Sequence, residues 1–126
     1  MNWAILLYVL AMVESGNNPE VKPGDAGRAH GIFQIWDAYV EDVERISGKD
    51  YDYPSDVYRT GTASEIVKTY LEYWGARQEL NTGRALDYES ACRLHNGGPH
   101  WYKKPHKTDA YWRKCERILK GLGITP

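Results

Sequence analysis

Two cysteines in a chain of 126 residues are too few to staple a fold, so stability has to come from packing. Cys92 and Cys115 can form one bridge or stay as two buried thiols, and the sequence leaves both open. Phenylalanine is nearly absent, at one residue, against ten Tyr and five Trp. Rings with a polar edge suit half-wet surfaces such as a sugar groove, although most of them belong at the core boundary. Neither sign of charge dominates: 16 Lys and Arg stand against 17 Asp and Glu, so no polycationic surface argues for nucleic acid. There is no repeat, no low-complexity tract and no linker, and the length fits one domain over residues 1–126. No apolar run approaches the ~20 residues of a membrane span. The longest is eleven residues, Trp3 to Val13. It has no basic n-region and no small-x-small cleavage site, so it reads as a helix of the mature fold, with a cryptic export signal as the rival reading. Being apolar on every face, it is expected to be buried and to form the axis of the domain.

Strand signals are missing as well, and helix signals take their place. Asn2 is a candidate N-cap for the first helix and Gly16 its stop. Residues 35 to 47 carry Ile35, Trp36, Tyr39, Val40, Val43 and Ile46 at helical spacing, with Gly48 after them. A polar, Tyr-rich connection follows. Thr62 with Glu65 has the form of a capping box opening a helix to about Leu80, with Ile66, Val67, Tyr70, Leu71 and Trp74 inward. Asp87 can cap a short helix to about His95, and Thr108 a last one with Tyr111, Trp112, Cys115, Ile118, Leu119 and Leu122 inward. Residues 17 to 32 have room for a small hairpin at most. The expected fold is mainly α, with about five to six helices in a single domain.

Chemistry enters with "VESGNNPEVKPGDAGRAHGIFQI", residues 13 to 35. Glu14 closes the apolar run, where poor solvation and the negative end of the helix dipole both favour a protonated acid. A protonated carboxyl near neutral pH is what a general acid needs. Asp25 follows in a polar Gly-rich loop, where a carboxylate stays ionised. His95, His100 and His106 span one short segment, but the spacing matches no zinc pattern and no Cys joins it, so exposed loop histidines are expected and no metal. Lys103, Lys104 and Lys107 read as a solvated rim that tolerates an anionic polymer.

Three motifs in order carry a resemblance. "ESGNNP" at the end of a buried helix, "GIFQI" at 31 to 35 and "CRLHNGGP" at 92 to 99 resemble the lysozyme-like superfamily of peptidoglycan-cleaving enzymes. With "TDAYW" at 108 to 112, the chain looks most like the invertebrate-type lysozymes, including the destabilase group. The resemblance implies a lysozyme-like fold with Glu14 as general acid and Asp25 as the second carboxylate. It also implies a cleft in which Ser15, Gln34, Tyr39, His95, Asn96 and Gly97 bind substrate. Two carboxyl groups flanking a glycosidic bond are the usual equipment for its cleavage. The implied activity is that of a muramidase on the β-1,4 bond between N-acetylmuramic acid and N-acetylglucosamine. No cofactor is implied, and a monomer is expected. Rival expectations are a lytic transglycosylase working with Glu14 alone, a chitinase-like specificity, an isopeptidase as in the destabilase group, and an inactive glycan-binding module. The resembling family is usually disulfide-rich and secreted. Two cysteines and no visible signal point instead to a bacterial or phage lysin made in the cytoplasm and acting at the cell wall.

Overall fold

A computed structural model describes residues 1–126. Five helices carry the fold: α1 (Trp3–Ser15), α2 (Asp37–Ser47), α3 (Thr60–Thr82), α4 (Tyr88–Gly97) and α5 (Asp109–Gly121). Four short 3-10 turns join them, at Asp25–Gly27, Ser55–Tyr58, Trp101–Lys103 and Pro105–Thr108, and there is no sheet. Beside the Asp25–Gly27 turn, residues 17 to 36 hold two isolated bridges, Gly24 with Ala29 and His30 with Ile35, and no strand.

The ends of α1 are those its sequence specifies. Asn2 Oδ1 accepts from the amide of Ile5 at 3.1 Å. Gly16 turns left-handed at φ 66°, and the amides of Gly16 and Asn17 donate back to Met12 and Ala11, closing the orphan carbonyls. The end of α1 is therefore fixed, and Glu14 with it. The helix is not the axis, however. It packs against α4 and α5 along Leu6, Val9, Leu10 and Ala11, and Tyr8 is left 42% exposed. The axis is α4, which packs against α1, α3 and α5 and buries five consecutive residues, Ser90 to Leu94. Its small Ala91 and Cys92 let neighbours approach, and its Arg93 is neutralised internally. Its Leu94, and Leu71, Ile66 and Leu119 around it, are fully buried, each contributing roughly 1.5–3 kcal/mol.

Two expected caps are not made. The third helix opens at Thr60 after Arg59, with no side-chain cap; Glu65 instead binds Lys49 Nζ at 2.7 Å and accepts from Tyr51 Oη at 2.9 Å. Thr108 Oγ1 donates to Pro105 O and accepts from Arg93, because α5 continues directly out of a 3-10 turn and leaves no free cap geometry. The second helix also starts two residues later than its spacing suggests, since Ile35 is committed to the bridge with His30. Cys92 and Cys115 are free thiols buried at the α4–α5 contact. The Cys115 thiol beside it, and burial, push Cys92 well above its ordinary range.

Candidate active site

A cleft of about 450 Å³ opens between the C-terminal end of α1, the 24–36 loop, α2 and the end of α4. Glu14, Asp25, Gln34, Tyr39, His95, Asn96 and Gly97 all line it, so seven of the eight residues singled out in the sequence come together. Ser15 does not. Its hydroxyl lies 2.7 Å from Ile32 O and 3.0 Å from Ala11 O, and accepts from the amide of Asn18. One hydroxyl proton serves the two carbonyls, and the effect is to tie α1 to the segment that carries Gln34.

Glu14 is held from behind. Tyr111 Oη donates to its Oε2 at 2.8 Å, and His95 Nε2 lies 3.3 Å from the same oxygen. The other oxygen, Oε1, has no partner within the protein, and the side chain is 19% exposed. Burial and the Glu14 charge push Tyr111 well above the ordinary tyrosine value, so it remains a donor across the working range. The His95 side chain is 2% exposed, which corrects the expectation of an exposed loop histidine; it sits in α4, whereas His100 and His106 are exposed. Its Nε2 faces two acceptors, Phe33 O at 3.1 Å and Glu14, while Nδ1 lies 3.0 Å from Tyr39 Oη. That network assigns the Nε2–H tautomer, with Tyr39 donating to Nδ1. Tyr39 stacks on Tyr70 at 3.7 Å, and burial raises both phenols well above their ordinary value.

Asp25 stands on strained backbone. It has φ 49°, and Ala26 and Gly27 follow at 58° and 87°. Of the four non-glycine residues with positive φ, Asp25, Ala26 and Gln34 lie in this loop, and such strain collects at functional sites. Trp36 Nε1 donates to Asp25 Oδ2 at 3.3 Å, and the Arg28 guanidinium covers the Trp36 ring at 5.7 Å. Gln34 uses both ends of its amide on the loop: Nε2 donates to Gly31 O at 3.0 Å and Oε1 accepts from Gly24 N at 3.1 Å. Gly24 has no room for a Cβ beside that amide, and Gly31 none beside the Val57 carbonyl. Gly97 also has a structural reason, since a Cβ there would meet Thr108 and Trp101; the turn behind it is made by Gly98 at φ 83°.

Several cleft residues were not singled out for the site from sequence. Tyr111 had a signal, since it lies in "TDAYW", but spacing alone gives only an inner helix position. Trp36 and Tyr70 read as core residues. Asp42 carried the weakest signal, an Asp–Arg pair at i,i+3 on the flank of the apolar face. It lines the cleft, accepts from Trp74 Nε1 at 2.6 Å and pairs with Arg45. No group of three or more His, Cys, Asp or Glu is placed to hold a metal ion.

The sequence model of the family described as Destabilase matches residues 5–118. The chain belongs to the destabilase family. This destabilase-family chain is 31% identical over 111 residues to Lysozyme 1 of Crassostrea virginica, covering 87% of itself and 56% of that relative. It thus spans little more than half the length of the curated protein it matches. Among solved structures it is similar to a chain of the complex of Aeromonas hydrophila PliI with Meretrix lusoria lysozyme, at a TM-score of 0.77 and 29% identity. That match covers 96% of this chain and 93% of the other. The fold is accordingly that of an invertebrate-type lysozyme-like protein.

Proposed function

We propose that this destabilase-family chain is a glycoside hydrolase of peptidoglycan, a muramidase acting at the bacterial cell wall on the β-1,4 bond that follows N-acetylmuramic acid. The observation that carries the reading is the division of labour within one carboxyl group. Glu14 Oε2 is anchored by Tyr111 and faced by His95, while Oε1 is unengaged at the cleft. A proton on Oε1 is free to pass to a glycosidic oxygen, and the Tyr111 hydroxyl donating to Oε2, with the His95 ring 3.3 Å away, then stabilises the carboxylate left behind. Asp25 enters the same cleft from a separate, strained loop, and supplies the second carboxylate that attacks the anomeric carbon, activates water or meets the oxocarbenium charge. Trp36 and Tyr39 offer ring surface to sugar faces. Asn96, exposed beside Gly97, offers an amide to an acetamido group.

A lytic transglycosylase is the second reading. Asp25 is exposed and held by one 3.3 Å bond, whereas Glu14 has the shorter contact, so a mechanism resting on Glu14 alone has a specific observation in its favour. The test is product mass on purified peptidoglycan in labelled water. Hydrolysis incorporates one labelled oxygen and leaves a reducing end. Products lacking the label and lighter by one water, as 1,6-anhydro ends, would overturn the hydrolase reading. Binding with no cleavage at any pH between about 4 and 8 would leave only a glycan-binding module.

A further inference from the structure

Beside the sugar cleft lies a second hollow, of about 540 Å³, that none of the chemistry above uses. It shares Asn96 and Gly97 with the cleft, so the two adjoin at the end of α4. Its outer wall is Lys103, Lys104 and Lys107 with His100. From Ser90 to Thr108 the chain contains no Asp or Glu, although acids slightly outnumber bases overall. Arg93, the one buried cation of the stretch, is bound by Glu89 at 2.9 Å and Asp109 at 2.7 Å. None of the three lysines makes an ion pair or a side-chain hydrogen bond, and Glu89 and Asp109, the acids that bracket this segment, are paired with Arg93.

The lysines stand on braced backbone. Trp101 Nε1 donates to Gln78 Oε1 at 3.0 Å, Gln78 Nε2 donates to Pro99 O at 3.2 Å, and Arg93 donates to Pro105 O at 3.0 Å. The other end of the groove is acidic, with Glu14 and Asp25, and with Asp42 balanced by Arg45. A strand carrying anionic substituents is therefore repelled at one end and attracted at the other. Three ammonium groups sharing one hollow repel each other, and nothing in the packing requires them there.

We propose that this hollow is a subsite for an anionic substituent of the glycan strand: a carboxylate of the stem peptide or a phosphate of an attached wall polymer. The inference rests on the glycan reading of the cleft and adds to it what sets the register of the strand. Exposed charge contacts are individually weak, so three together are worth on the order of ten- to a hundredfold in affinity at low salt.

The test measures binding without turnover. Glu14→Gln protein and the same protein carrying K103Q, K104Q and K107Q are pelleted with cell-wall sacculi at about 20 mM and 200 mM salt. The sacculi are used native, stripped of phosphate polymer with hydrofluoric acid, or stripped and then carboxyl-amidated. A neutral N-acetylglucosamine hexamer, followed by calorimetry, is the reference ligand. The expected result is at least a tenfold loss on native sacculi for the lysine variant, a flatter salt dependence, and unchanged affinity for the hexamer. If stripping brings the parent down to the lysine variant, the ligand is phosphate; if only amidation does so, it is carboxylate. Equal affinity of the two proteins for native sacculi overturns the subsite, as does equal loss toward the hexamer. A parent protein that binds neither sacculi nor hexamer overturns the glycan reading, and the subsite with it.

Discussion

Replacing Glu14 by Gln tests the acid while sparing the structure around it, and the expected size of each effect follows from the contacts. The Gln carbonyl is nearly isosteric and still accepts from Tyr111, whose hydroxyl now donates to an oxygen 2.8 Å away. A hydrogen bond to a charged acceptor contributes about 1.5–3 kcal/mol and one to a neutral acceptor about 0.5–1.5, so the loss is at most on the order of 1 kcal/mol, reached when Glu14 is ionised and vanishing when it carries its proton. For a chain of this length that is a fall in Tm of roughly 3–5 °C. Activity should suffer far more, because an amide has no acidic proton to deliver. Loss of a general acid lowers the rate by about 10² to 10⁴, equivalent to roughly 3–5 kcal/mol of transition-state stabilisation. Glu14→Ala is the informative companion. It leaves the buried Tyr111 hydroxyl without its acceptor, at an added cost of about 1–3 kcal/mol. Initial rates on a cell-wall suspension, read with calorimetric Tm values, separate the two effects. A Gln variant clearing the suspension at the wild-type rate would refute the assignment of Glu14. So would a rate that falls only in proportion to the folded fraction.

Asp25→Asn should lower kcat by about a hundredfold or more with KM little changed, since a charge felt in the transition state is what disappears; retention of most of the rate favours the transglycosylase. Gln34→Met removes two bonds that pin the loop, roughly 1–3 kcal/mol of local stability. Faster hydrogen exchange at the amides of Gly24 and Ala29, with α3 amides unaffected, is the expected readout. Asp109 is held below its ordinary value near 3.8, chiefly by its hydrogen bond from Arg93. Its contribution to stability is therefore present above that value and lost as the pH falls through the lower folded one. Asp109→Asn should lower Tm at pH 7 and flatten its fall on acidification below about pH 4, and parallel Tm-against-pH curves for the two proteins would contradict this.

The helices were legible because their signals are local. Asn2, Gly16, Gly48 and Asp87 act where the pattern places them, and Ile66, Val67, Tyr70 and Leu71 are buried as their spacing requires. The central position of α4 was not legible. Nothing in "SACRL" outscores the eleven apolar residues of α1; α4 can be interior despite Arg93 because Glu89 and Asp109, far apart in sequence, both pair with that guanidinium. The failed capping box has the same origin, since Glu65 finds Lys49 and Tyr51 across a loop before it can reach back along its own helix. At the site, Glu14 was readable from its helix end and motif. The cage of His95, Tyr39 and Tyr111 was not, because it joins α4, α2 and α5 over long separations that no spacing rule encodes.

The two carboxylates are held by different physics, and their places in the fold dictate which. Glu14 takes its position from a helix end whose neighbours are core residues of α1, α4 and α5, so packing fixes it and Tyr111 adds only direction. Asp25 has only a short 3-10 turn and an isolated bridge around it, and no disulfide to close its loop. Apolar anchors alternate there with polar clamps. Ala29, Ile32, Phe33 and Ile35 are buried, while Tyr53 Oη lies within 2.9 Å of Arg28 O and 2.7 Å of Ile35 O, and His30 Nδ1 meets Tyr58 Oη at 2.7 Å. Burial, then the Asp37 charge, pushes Tyr53 up to about 12, so it serves as a donor to one or the other carbonyl at any working pH. These ties begin at Arg28 and, on the other side, at Gly24 through Gln34. Between them lie Asp25, Ala26 and Gly27, three successive residues with left-handed backbone. Three successive left-handed residues thus stand where these ties leave the loop free, and among them is the carboxylate that the proposed chemistry needs at the cleft.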